Sequence, residues 1–183
     1  IAGGGTPSAV VTTVQRIDYS NDTPTTTTRG PLSTGRMFIA GTGSSSHGYF
    51  GGGEIGPGGN TSKIERIDYA NDTPTAGAKG NLGNDLHAMG AVSNVNFGYF
   101  GGGTPSSQSK VYRIDYGNDT TDTVAKGPLT SEYQYISAVG NETHGYFVSG
   151  YNPSWLSKVD RIDYNNDTAT ASPKGPLSAN RYV

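Results

Sequence analysis

The tetrapeptide Arg-Ile-Asp-Tyr occurs four times, beginning at Arg16, Arg66, Arg113 and Arg161, so the copies lie 50, 47 and 48 residues apart. Each copy is followed, one residue on, by Asn-Asp-Thr, then by a Thr/Ala-rich run and a basic residue with Gly: RGPL at 29–32, KGNL at 79–82, KGPL at 126–129 and 174–177. A glycine block precedes each copy, as IAGGG at 1–5, GYFGGG at 48–53 and 98–103, and GYFVSG at 145–150. A repeat of this length constrains the fold more than any single motif, because each unit must bury its apolar surface against a copy of itself. It also decides what the glycines are for: blocks that recur in every unit are architecture, not a phosphate cradle. The lone GxGxxG at Gly51, Gly53 and Gly56 lacks the helix that a dinucleotide site needs, and Pro57 argues against one.

Within a unit the local signals are those of strands. HGYFGGG is a short aromatic strand ending in residues that tolerate positive φ and close backbone approach. SKVYRIDY alternates, with Val111, Arg113 and Asp115 on one side and Tyr112, Ile114 and Tyr116 on the other. Asn-Asp-Thr is turn chemistry, and TDTVAKGPL is a β-favouring run closed by Gly-Pro. YQYISAVG and its counterpart RMFIAGTG fit a fourth strand, and no segment reads as a helix. The expected fold is all-β, with about four blades of four antiparallel strands in a β-propeller, either a closed ring or a segment of a longer array. The single repeat domain, 1–183, divides into units at approximately 1–31 (partial), 32–81, 82–128, 129–176 and 177–183 (partial).

Read from the Leu of the GPL block, a unit resembles the kelch repeat: a basic residue, a small-residue strand, an aromatic strand ending in Gly-Gly, a variable loop, a strand ending in a Tyr/Asp pair, and a final strand. The Asp/Tyr order is inverted relative to kelch, and the Trp that kelch units carry after the turn is missing from every copy. The RIDYxNDTxTxxxKGPLS units are also similar to those of large structural or tail-associated repeat proteins of marine cyanobacterial tailed viruses. That resemblance implies a virion or extracellular setting.

Composition narrows the function classes. Hydrophobic residues make up only 32% and charged residues 15%, yet 12 tyrosines and 5 phenylalanines argue for order over disorder. A net charge of -2 leaves no electrostatic footprint for nucleic acid or an anionic membrane. No apolar run approaches the roughly 18 residues of a spanning helix, so a soluble chain without membrane insertion is expected. There is no cysteine, hence no disulfide or thiolate chemistry. The chain begins at Ile1 in mid-pattern, which suggests a processed product or an excerpt, and LSANRYV at 177–183 opens another first strand that would complete the first blade.

Candidate chemistry is weighed against the repeat. His47 and His144 precede the same Gly-Tyr-Phe in different units and, with His87, are not expected to converge on a metal. The first Asp of each unit (Asp18, Asp68, Asp115, Asp163) shares a strand face with the repeated Arg and is expected to pair with it within or between blades. The second (Asp22, Asp72, Asp119, Asp167) belongs to the turn, and the two together lack the dense acidic loop of a strong calcium site. Asn21, Asn71, Asn118 and Asn166 sit in N-x-Ser/Thr sequons, joined by Asn60 and Asn141, and are possible glycosylation positions if the producing cell glycosylates extracellular chains. The loops between the glycines and RIDY differ most. They hold Glu54, Tyr151 and the only tryptophan, Trp155, as ligand-binding candidates.

No catalytic group, metal or cofactor is expected, because a catalytic centre needs different residues converging on one reacting atom and no site breaks the repeat that way. The expected function is non-enzymatic: a structural and recognition module of a virion fibre or extracellular appendage, with a surface glycan or protein, self-association or a parent assembly as partners. The alternatives are a carbohydrate-active enzyme, for which Glu54, Glu65, Glu132 and Glu142 are the non-repeated acids, and a purely architectural filament subunit.

Overall fold

The computed structural model describes residues 1–6 and 9–181. Among these residues the chain is all-β, as expected: short antiparallel strands and one 3-10 turn at Tyr164–Asn166. The first unit holds β1 (Val14–Arg16) and β2 (Thr27–Arg29), with Ala2 bridged to Val14. The second holds β3 (Ala40–Gly43), β4 (His47–Gly51), the small hairpin β5 (Glu54–Gly56) and β6 (Gly59–Asn60), then β7 (Ile64–Asp68) and β8 (Gly77–Ala78). The third holds β9 (Gly90–Ser93), β10 (Phe97–Gly101), β11 (Val111–Asp115) and β12 (Val124–Lys126). The fourth holds β13 (Ser137–Gly140), β14 (His144–Val148), β15 (Val159–Asp163) and β16 (Ser172–Pro173). Three four-stranded sheets result, ordered β3-β4-β7-β8, β9-β10-β11-β12 and β13-β14-β15-β16. Their first strands adjoin, β3 beside β9 and β9 beside β13. Of the segment 177–183 expected to complete the first unit, Leu177 and Arg181 donate their N–H groups to the carbonyls of Ser157 and Leu156 in the fourth unit, at 2.7 and 3.1 Å, and Tyr182 and Val183 fall outside the described residues.

Successive residues on a strand point to opposite faces, and here both faces are covered. In β10, Phe100 packs back among Tyr49, Ile64 and Leu86, while Tyr99 packs forward among Ile136, Phe147 and Ile162. This is how 32% hydrophobic residues suffice: an aromatic plate from each side of every middle strand fills the gap between neighbouring sheets. The first glycine of the block makes room for that plate. A Cβ at Gly51 or Gly101 would stand 2.8 or 2.7 Å from the ring of Phe100 or Phe147 in the next sheet. The second and third glycines turn the chain away, with φ of 66° and 115° at Gly52 and Gly53 and of 71° and 109° at Gly102 and Gly103. Ser149 accepts the first of these conformations at 68°. In the first unit the frame sits one residue earlier than the letters suggest: Gly3 and Gly4, at 69° and 128°, stand where Gly52 and Gly53 do, so Ala2 replaces the first glycine.

Electrostatics joins the sheets, in a way that differs from the expected Arg/Asp pairing. The repeated arginine does not pair with the Asp of its own strand. Arg16, Arg66 and Arg113 each donate from Nη1 to the turn Asp of the next unit: Asp72 at 2.9 Å, Asp119 at 2.7 Å and Asp167 at 2.7 Å. The basic residue before each Gly-Pro or Gly-Asn adds a second cation, with Arg29 at 3.3 Å, Lys79 at 3.0 Å and Lys126 at 3.1 Å from the same three carboxylates. Tyr49 and Tyr99 donate a third bond, to Asp119 at 2.8 Å and to Asp167 at 3.1 Å. Meanwhile the first Asp folds onto its own turn: Asp18, Asp68, Asp115 and Asp163 accept the N–H of Ser20, Ala70, Gly117 and Asn165, each at 2.9 Å. The exchange of roles is geometric. An Asp two residues along the arginine's strand points out at the same rim, whereas the neighbouring turn drops its Asp into the junction.

The turn backbone is held by the same neighbour, since Gly30, Gly80 and Gly127 donate to the carbonyls of Asp72, Asp119 and Asp167 at 2.8, 2.9 and 2.8 Å. A Cβ on any of the three would strike the carbonyl of Pro74, Thr121 or Ala169 at 1.8, 1.7 or 1.8 Å. Burial pushes the Asp119 carboxyl up, but hydrogen bonds from Tyr49 and Lys79 and the Arg66 charge overcome it and leave the carboxyl below its ordinary 3.8. A depressed folded value stabilises the fold above the unfolded one, and that stability is lost as pH falls through the folded value. Asp119→Asn is therefore expected to lower stability by about 2 kcal/mol near neutral pH, a figure discounted for the part-exposed arginine. In denaturant titrations at a series of pH values, the gap to the wild type closes below the ordinary carboxylate range.

Candidate functional site

The positions that break the repeat gather where each chain segment leaves its glycine block. Glu54, Thr104 and Tyr151 are equivalent residues there, bridged to Met37, His87 and Gln134 on the approach to the first strand of the same sheet. One residue further, Phe38, Ala88 and Tyr135 all adopt left-handed backbone, with φ of 53°, 54° and 52°. That conformation costs a non-glycine residue roughly 1–2 kcal/mol, and its compensation is visible. Ala88 N–H reaches the Phe38 carbonyl at 2.9 Å and Tyr135 N–H the Ala88 carbonyl at 3.0 Å, linking the three sheets in sequence.

Side chains at these positions meet in two groups. His87 Nε2 lies 3.9 Å from Glu54 Oε2, and its ring is 5.9 Å from that of Phe38, which meets Tyr135 edge-on at 6.2 Å. Next to Tyr135, Gln134 exchanges backbone hydrogen bonds with Tyr151, whose ring meets Trp155 in a T-shaped contact at 4.9 Å. Phe38 is 49% and Trp155 37% exposed, so the edge offers aromatic surface to solvent. Burial pushes the His87 imidazole below its ordinary value, against the pull of Glu54. The ring is then neutral at neutral pH. Chemically this surface offers aromatic faces, one carboxylate and one imidazole.

The sequence singled out Glu54, Tyr151 and Trp155 from their loop, and the structure sets Glu54 and Tyr151 at equivalent places on this edge. It missed Phe38, His87 and Tyr135 as site residues. Aligning the units shows the signal: Met-Phe, His-Ala and Gln-Tyr stand at one place in an otherwise repeated strand approach. The other histidines do not join. His47 and His144 bond Ser46 and Thr143 through Nδ1 at 2.8 and 2.9 Å, at equivalent strand starts. Asn21, Asn71, Asn118 and Asn166 are all exposed at the turn tips, next to the junction carboxylates. Asn141 instead caps its own turn, accepting from Thr143 and His144. Among the described residues no three His, Asp or Glu side chains gather as metal ligands would.

Of the non-repeated acids, Glu132 and Glu142 are exposed. Glu65 is fully buried and committed: it takes Arg36 Nη2 at 2.6 Å and the Ser33 N–H at 2.9 Å. Arg36, equally buried, also donates to the carbonyls of Phe50, Gly52 and Lys63. The equivalent pair is Leu86 with Tyr112 in the third unit, and in the fourth Tyr133 with Asp160, joined by a hydrogen bond of 2.6 Å. The same buried place is thus filled by an ion pair, an apolar pair or a tyrosine hydrogen-bonded to an Asp.

The fold defines a class: an all-β protein of serially packed four-stranded antiparallel sheets. No protein-family model and no curated protein matches the chain. Among solved structures it is similar to YjhT, at 12% identity and a TM-score of 0.72 over 91% of this chain and 53% of that one. The chain thus spans about half the length of the structure it matches, and the likeness concerns the path of the sheets.

Removing one member of a buried ion pair leaves the other charge stranded, at a cost of about 3–5 kcal/mol. Arg36→Leu alone is expected to destabilise by that amount in chemical denaturation. Arg36→Leu with Glu65→Tyr, which transplants the third unit's pair, recovers most of the loss.

Proposed function

We propose that the chain is an arc of a kelch-like β-propeller that serves as a non-catalytic recognition module, binding a surface glycan through the edge formed by Phe38, His87, Tyr135, Glu54, Tyr151 and Trp155. The observation that carries this reading is the division of labour among polar groups. The repeated charges are consumed three times over in holding neighbouring sheets together. Where the chain leaves its glycine blocks, residues that differ between units are rich in aromatic rings. Flat rings bring large contact area at low entropic cost and suit the apolar faces of sugar rings, while Glu54 supplies an acceptor for hydroxyls. The propeller reading draws support from the serial packing of four-stranded sheets, the adjoining first strands and the likeness to YjhT. A virion fibre or extracellular appendage is the setting we propose, from the similarity of the repeat units to tail-associated viral proteins.

The second reading, a carbohydrate-active enzyme, rests on the Glu54–His87 approach. Glycoside hydrolysis ordinarily uses two carboxyl groups facing across a bond, and Glu65 is committed to Arg36. A panel of bacterial surface polysaccharides, assayed for both binding and reducing-end release, separates the two. We expect saturable binding without turnover, weakened roughly tenfold by Trp155→Ala or Phe38→Ala at unchanged melting temperature. Release of sugar by the wild type, abolished in Glu54→Gln, would overturn the recognition reading in favour of the enzyme.

A further inference from the structure

Each junction between units has a donor side and an acceptor side. The donor side is an arginine, a lysine or arginine and a glycine with no space for a Cβ, joined in the second and third junctions by a strand tyrosine. The acceptor side is the turn Asp, the Tyr that ends RIDY, and the carbonyl two residues after the Asp. In the second junction Tyr116 stacks on Tyr49 at 4.6 Å, and in the third Tyr164 stacks on Tyr99 at 4.9 Å. The fourth unit carries the complete donor side, Arg161, Lys174, Tyr146 and Gly175, and the first carries the complete acceptor side, Asp22, Tyr19 and the Pro24 carbonyl.

Among the described residues neither side is engaged. Arg161 Nε is buried without a hydrogen-bond partner, and Lys174 is exposed where the side chains of Lys79 and Lys126 are 13% and 12% exposed. A Cβ on Gly175 would meet nothing within 4 Å. Asp22 is exposed, and Tyr19 is 94% exposed. The apolar part matches as well. Val148 stands where Gly51 and Gly101 yield to the next sheet's Phe, and the residue at the position of that Phe in the first unit is Ile1, 73% exposed. A larger residue on one side thus meets a smaller one on the other, a nearly volume-conserving exchange.

We propose that the two faces bind each other between copies: the donor face of the fourth unit of one chain takes the turn of the first unit of a second chain, head to tail. Arg161 and Lys174 hold the second copy's Asp22, its Tyr19 stacks on Tyr146, and its Ile1 packs on Val148. Charge complementarity identifies the partner, since all three junctions within the chain join an arginine, a second basic residue and a glycine to a turn Asp, and the second and third add the stacked tyrosine pair. The contact is heterologous, so it propagates into a ring or a filament according to its rotation. It is independent of what the aromatic edge binds.

Sedimentation velocity on the 183-residue chain tests this. The wild type is expected to associate with rising concentration, less so at high salt. Gly175→Ala leaves the melting temperature of the dilute chain unchanged but weakens association at least tenfold, because a Cβ there would strike the second copy's Pro24 carbonyl. Asp22→Arg does the same from the other face. Mixed, these two variants retain one intact donor face and one intact acceptor face, and form dimers that grow no further. A wild type that stays monomeric at its highest soluble concentration overturns the proposal. So does a monomer that Gly175→Ala destabilises, which would instead join the two faces within one chain.

Discussion

The fold depends on one carboxylate per junction. Asp72, Asp119 and Asp167 each take two cationic donors from the preceding unit while being almost wholly removed from water. An unpaired carboxylate in that position would be costly. The neighbouring sheet can therefore dock only where its arginine and lysine arrive together, and that requirement fixes the register of sheet on sheet. Apolar contact alone would not do so, because plates of Tyr and Phe can slide past one another with little change in buried area.

Glycine is what lets those plates approach. A middle strand covered on both faces has no room for large side chains at every position. The sequence alternates a flat ring with an absent side chain, so that Phe100 and Phe147 lie across Gly51 and Gly101. The low hydrophobic content, which by itself would suggest a weak core, reflects this economy of shape: few residues are apolar, but those few are large and nearly fully enclosed. The left-handed backbone at Phe38, Ala88 and Tyr135 belongs to the same scheme, trading local strain for a hydrogen bond from each sheet to the next.

Much of this was legible in the letters. Alternation in SKVYRIDY, the aromatic strand before the glycines and the turn chemistry of Asn-Asp-Thr placed the strands without further help, since each is a local preference. The partner of Arg113 was not legible. Asp115 is nearer in sequence and of the right charge, whereas Asp167 lies 54 residues away and is brought in by a packing step that no local rule encodes. The frame of the first unit was hidden for a related reason. Three consecutive glycines look alike, and only their backbone angles show that Gly3 and Gly4 occupy the places of Gly52 and Gly53. The aromatic edge was half visible: variability marked the two loops that hold Glu54 and Tyr151, but Phe38 and Tyr135 sat inside stretches that read as ordinary strand.

Variation within the repeat follows two rules, and the contrast between them bears on function. Inside the sheets, change is paired: Arg36 with Glu65, Leu86 with Tyr112, Tyr133 with Asp160, so that each substitution is answered by its neighbour and the place stays filled. Along the edge after the glycine block, change is unanswered: Glu54, Thr104 and Tyr151 face Met37, His87 and Gln134 without a common chemistry. Paired change is what packing demands of units that must keep one shape. Unpaired change at a surface imposes no such demand, so the identities there are left to whatever the edge contacts. The scaffold can therefore be held constant while the exposed edge is altered residue by residue.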